Sequence, residues 1–127
     1  MMKKIILLAV LSTTWYGWPL PSFPGAEGWG TDTPGGRGGR VIIVTNTNPS
    51  GAGSFYAAMV ATGPRIIIFR TSGVIQMAVP DLTANQSFLT IAGQTSPGGI
   101  TLRKSNGTIL GSYKLGFHDG AFRHLRF

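Results

Sequence analysis

The chain is 127 residues long, one domain's worth, and contains no cysteine, which excludes disulfides and lipid anchoring through a thiol and leaves packing as the source of stability. Its formal net charge is +7, so polyanions are expected partners. The basic residues are dispersed rather than gathered with aromatics on one face, so nucleic acid is not expected and an acidic glycan fits the charge.

Lys3 and Lys4 precede an apolar run from Ile5 to Leu11, and Ser12, Thr13 and Thr14 follow. Charged, then greasy, then small is the order of a secretory signal, expected over residues 1–18, and the run is too short to span a bilayer. No A-x-A triplet precedes Trp15, which leaves the cut open between Ser12 and Leu20. Loss of Lys3 and Lys4 lowers the charge from +7 to +5. Residues 19–127 then form the domain. Pro19 to Gly39 is its least regular stretch, with glycine clusters at Gly25 to Gly30 and Gly35 to Gly39.

Short runs rich in Val, Ile, Thr and Phe, punctuated by 19 glycines and 8 prolines, predict strands at Val41–Thr45, Arg65–Phe69, Gly73–Met77, Phe88–Ile91, Ile100–Arg103, Thr108–Leu110 and Ala121–Phe127. One segment reads as helix. Ser54 is a suitable N-cap, Phe55, Ala58, Met59 and Ala61 give an apolar stripe, and Gly63-Pro64 ends the run. The strands recur in series: Ile67 to Thr90 is 23 residues, Ile75 to Thr101 is 26 and Leu82 to Ile109 is 27. A period of this size carrying three short strands suits an all-β, right-handed parallel β-helix, in which each coil hydrogen-bonds to the next. Periodicity alone leaves a β-sandwich open, because runs such as Ile66 to Phe69 also suit sandwich-core strands. In the solenoid the helix is expected to cover the first coil. Ala121–Phe127 shows no turn or cap, so the chain is expected to be truncated inside its third coil.

Few residues carry obvious chemistry. Gly51-Ala52-Gly53 superficially resembles a dinucleotide-binding turn, but Tyr56 stands at the third glycine position and no βαβ unit with a later acid follows. Gly35-Gly36-Arg37-Gly38-Gly39 lacks the lysine and Ser/Thr of a P-loop and is expected to be a close-packed turn. His118 and Asp119, with His124 nearby, are expected as loop and packing groups rather than a metal or acid-base site. Arg123 and Arg126 are candidate substrate-binding residues, since guanidinium forks match uronate carboxylates. Asn85-Gln86-Ser87 and Asn106-Gly107-Thr108 are glycosylation sequons, meaningful in a eukaryotic source.

Taken as strings, Phe23-Pro24-Gly25-Ala26-Glu27-Gly28-Trp29-Gly30, Gly35-Gly36-Arg37-Gly38-Gly39, Val44-Thr45-Asn46, Gly51-Ala52-Gly53-Ser54, Gly63-Pro64-Arg65-Ile66-Ile67-Ile68-Phe69, Gly73-Val74-Ile75, Ile91 to Ile100 and Arg123-His124-Leu125-Arg126-Phe127 resemble, in order and spacing, the N-terminal part of the pectate lyase family. The resemblance runs from about Phe23 to the end. Departures are Phe55-Tyr56 for a usual Leu-Arg, Trp29 for Phe, and Ala121-Phe122 for a β-branched pair.

The resemblance implies a secreted (extracellular or periplasmic) enzyme, monomeric at full length and without a membrane span, that cleaves polygalacturonate by calcium-dependent β-elimination. In that reaction a calcium ion bridges the substrate carboxylate to protein acids, the C5 proton is abstracted and the C4 glycosidic bond breaks; the metal stabilises the charge that develops. The family's calcium ligands and catalytic arginine correspond to positions beyond Phe127. No catalytic or metal residue is therefore carried over, and the 127 residues alone are expected to be inactive and to hold no calcium. Two alternatives share the fold: a non-catalytic module that binds acidic polysaccharide, and a glycoside hydrolase, which needs paired carboxylates facing one cleft.

Overall fold

The computed structural model of the protein describes residues 20–77, 83–104 and 116–127. The expected signal at 1–18, the strand at Thr108–Leu110, the Leu82–Ile109 spacing and the Asn106 sequon lie outside them. In order, the described elements are β1 (Arg40–Val44), α1 (Phe55–Val60), β2 (Arg65–Phe69), β3 (Gly73–Met77), a 3-10 turn at Ala84–Gln86, β4 (Leu89–Ala92), a 3-10 turn at Gly93–Thr95, β5 (Ile100–Lys104), β6 (Gly120–Arg123) and β7 (Leu125–Arg126).

The strands form two parallel sheets, sheet A in the order β1-β2-β4-β6 and sheet B in the order β3-β5-β7. From β2 onward each coil passes through sheet A and then sheet B, while β1 leads into α1 instead; this is a partial parallel β-helix. Sandwich sheets are antiparallel, so the β-sandwich alternative is excluded. The register corrects the spacing read from sequence by one residue. Ile67 pairs with Ile91 rather than Thr90, and Ile75 with Leu102 rather than Thr101. A one-residue slip would turn every inward side chain outward, and burial of Ile67, Ile91, Ile75 and Leu102 selects the observed pairing.

Stacking in register builds inward columns. Ile42, Ile67, Ile91 and Phe122 form one in sheet A, and Ile100 carries Leu125 in sheet B. Ile67 and Ile91 are fully buried, while Phe122, on the edge strand of the same column, is 45% exposed. At the other end α1 closes the core. Ser54 caps it, its Oγ accepting from Ala57 N at 3.2 Å, and Phe55 stacks on Phe69 with ring centroids 5.7 Å apart. Ala58 and Met59 complete the buried face; Ala61 is the C-cap rather than part of the helix.

Two further sequence expectations require correction. Phe88 is not a strand residue: it takes φ +58° and turns the chain into β4. Ala121–Phe127 is not one strand, because His124 at φ +52° breaks it into β6 and β7, which belong to different sheets. Asp119, at φ +55°, precedes β6 just as Phe88 precedes β4, and the backbone ladder continues through both bends: Arg65 N donates to Phe88 O at 3.0 Å and Leu89 N to Asp119 O at 3.1 Å.

Candidate functional site

The glycine-rich Gly35–Gly39 segment is a close-packed turn laid against sheet A. A Cβ on Gly36 would lie 1.8 Å from Arg65 O, and one on Gly39 would lie 2.0 Å from Pro64 O. Gly36 N donates to Thr90 Oγ1 at 2.8 Å. The same loop reaches the third coil, where Thr33 Oγ1 donates to Asp119 Oδ1 at 2.9 Å and the Arg123 guanidinium lies 4.3 Å from the centre of the Phe23 ring. Residues 23–39 therefore strap together three coils across sheet A.

His118 and Asp119 pair within this contact, with Nδ1 2.6 Å from Oδ2. An ionised carboxylate only accepts, so the geometry selects the ring carrying its proton on Nδ1. The hydrogen bond from His118, then that from Thr33, hold the Asp119 carboxyl below its ordinary value, against a small opposing effect of burial. The His118 ring also meets Phe88 edge-on at 5.1 Å. His124 is not part of the pair: it sits at the corner between β6 and β7, at the opposite end of β6 from Asp119.

The structure separates Arg123 and Arg126. Arg123 ends sheet A's edge strand and lies on Phe23; Arg126 belongs to sheet B and borders an open groove of about 360 Å³ at the corner between the sheets. Gly93, Gly99 and Ile100 contribute to the groove, with Gln94, His124 and Arg126 supplying polar side chains. None of the described carboxylates lines it.

Sequence reasoning passed over Arg65. Its side chain is fully buried, and the guanidinium donates to four carbonyls: Nε to Ala58 O at 3.0 Å, Nη2 to Met59 O at 2.8 Å, and Nη1 to Gly63 O and Gln86 O, each at 3.1 Å. Two of these acceptors belong to the last turn of α1, whose carbonyls have no partner within the helix. Burial, and to a smaller extent the charge of Arg40, push this guanidinium below its ordinary value. The available signal was an arginine heading an inward-facing run just past a helix stop.

A calcium site needs several oxygen ligands in one place. Among the described residues no three of His, Cys, Asp and Glu gather, and the Asp119 oxygens are taken by His118 and Thr33. The described residues do not fit a calcium ion. No helix among them is long and apolar enough to cross a membrane.

No protein-family model matches the chain. Individual proteins do. A protein of Neosartorya fischeri described as probable pectate lyase C is 49% identical over 84 residues, 65% of this chain and 19% of that protein. Namesakes from Aspergillus flavus and Emericella nidulans are 43% and 45% identical over 97 residues, 76% of this chain and 22% of each of theirs. The chain thus spans about a fifth of the length of the relatives it matches.

Proposed function

We propose, from the premise that this chain is homologous to the fungal pectate lyases over most of its length, that it supplies the lid helix and first coils of a secreted lyase acting on polygalacturonate. The observation that carries this is the coincidence of 43–49% identity with a capped, in-register parallel stack. A homologous stretch that builds the same kind of scaffold is what a shared catalytic framework requires, whereas fold alone would not choose an activity.

In this assignment the chain's contribution is structural. α1 and Phe55 seal one end of the core, Arg65 ties that seal to β2, and the strap holds the first three coils in alignment. At the other end, the 45% exposed Phe122 and the partly buried Phe117 and Leu125 offer an apolar platform, on which we place the coils that bear the calcium ligands and the base. Residues 1–18 direct export. Arg126 is retained as a candidate contact for a uronate carboxylate; Arg123 is a weaker one because its guanidinium rests on Phe23.

The test is incubation of the full-length protein with polygalacturonate. An ultraviolet-absorbing unsaturated uronide should accumulate with calcium and cease on chelation. No such product, or one indifferent to chelation, would remove the lyase assignment.

A further inference from the structure

Where sheet A turns into sheet B the chain makes a corner three times, at Arg70–Ser72, at Gly93–Gly99 and at His124. These corners are tied to one another. Thr95 Oγ1 accepts from Phe69 N at 2.8 Å, and Ser96 Oγ donates to Thr71 O at 2.8 Å, locking the second corner to the first. Gly93 packs so closely on the third that a Cβ there would lie 2.3 Å from His124 O. The groove bordered by Arg126 is thus set in a braced part of the fold rather than on a loose loop.

Charge is segregated about this edge. Arg70 is exposed at the first corner, and His124, Arg123 and Arg126 lie at or beside the third. The described acids lie elsewhere: Asp119 at the far end of β6, Glu27 and Asp32 in the leading loop. Arg126 makes no ion pair among the described residues. Its guanidinium runs beside Gly99, where φ is +86° and a Cβ would stand 3.7 Å from Nη1.

We propose that this corner is a binding stripe for an acidic polysaccharide lying along the solenoid axis. Arg126 takes a uronate carboxylate with its fork of donors, and Gln94 and His124 serve neighbouring oxygens. Successive coils stack about 4.8 Å apart, so Arg70, two coils away, lies roughly 10 Å along the axis. One sugar cannot reach both positions; an oligomer can, and binds more tightly for it. The choice of ligand rests on the proposed function, but binding here does not depend on cleavage.

The test uses full-length protein with calcium chelated, probed with tetragalacturonate, galacturonate monomer and a neutral tetrasaccharide, and read by amide hydrogen exchange. Tetragalacturonate should slow exchange in peptides covering 93–99 and 124–126, and the other two should not. Arg126→Gln should weaken that protection about ten-fold, Arg70→Gln should weaken it less, and Arg126→Lys should restore it in part. Arg40→Gln removes the same charge at the start of β1, at the opposite end of sheet A from the corner, and should leave protection intact. Unchanged exchange at the corner, or equal loss in Arg40→Gln and Arg126→Gln, overturns the proposal. Corner protection without uronide formation would sink the lyase assignment alone; normal uronide formation without protection would sink the stripe alone.

Discussion

Arg65 enters the core with no carboxylate among the described residues to meet it. A guanidinium costs several kcal/mol to bury unless its donors are satisfied, and here carbonyls satisfy them, two at the C-terminal end of α1, where the helix dipole favours a cation. The side chain therefore works as a clamp between the lid and the second strand. Arg65→Met should lower stability by about 3 kcal/mol or more, since it leaves buried acceptors unpaired, and Arg65→Lys should recover only part, lacking the fork. A denaturant titration of the full-length protein, comparing midpoints, checks both. Asp119 gives the residue scale its pH dependence. Its carboxyl is held below its ordinary value of 3.8, so the clasp to Thr33 is complete above that value and is lost as pH falls through the lowered one. Amide exchange in residues 31–37 should accelerate over that acid window, and Asp119→Ala should show the faster exchange already at neutral pH.

At the scale of the element, α1 is only six residues long, too short to persist without its contacts. Ser54→Ala removes the cap and should cost about 1 kcal/mol. Phe55→Ala removes the side chain stacked on Phe69 and should cost roughly 3–5 kcal/mol, seen as a lower denaturation midpoint. This helix was legible in the sequence because cap, stripe and Gly63-Pro64 stop agreed. Arg65–Phe69 was legible as a strand for a similar reason, and Arg65, Ile67 and Phe69 indeed point inward. The corners were not. Phe88, Asp119 and His124 take positive φ without being glycine, a conformation that costs such residues of order 1 kcal/mol and that no local signal announces for Phe88. The requirement comes from the coil: the chain must turn into a strand already aligned by its neighbour. The one-residue error in the repeat has the same origin, since the register is fixed by which side chains reach the core.

On the scale of the molecule, the sequence conveyed the architecture because strand spacing and string resemblance pointed to the same solenoid. It offered Arg123 and Arg126 as two candidates within one expected strand; the break at His124 sends them to different sheets. The groove at Arg126 was invisible, being made by corners of successive coils. Among the described residues the stack is also chemically asymmetric, closed by α1 at one end with Phe122 exposed at the other. An apolar column whose edge strands have no partner among the described residues is a template for association, so the 127-residue polypeptide expressed alone should self-associate, and Phe122→Ser should reduce its apparent size in sedimentation. A sharp, cooperative melt from a soluble monomer would speak against that platform.

The most direct measurement is the mass of the oligosaccharides that the full-length protein releases from polygalacturonate. Elimination predicts fragments lighter by one water than their hydrolytic counterparts, carrying a double bond at the non-reducing end. Fully hydrated fragments would identify a hydrolase on this scaffold, and intact polymer that remains bound would identify a binding module; either would contradict the assignment.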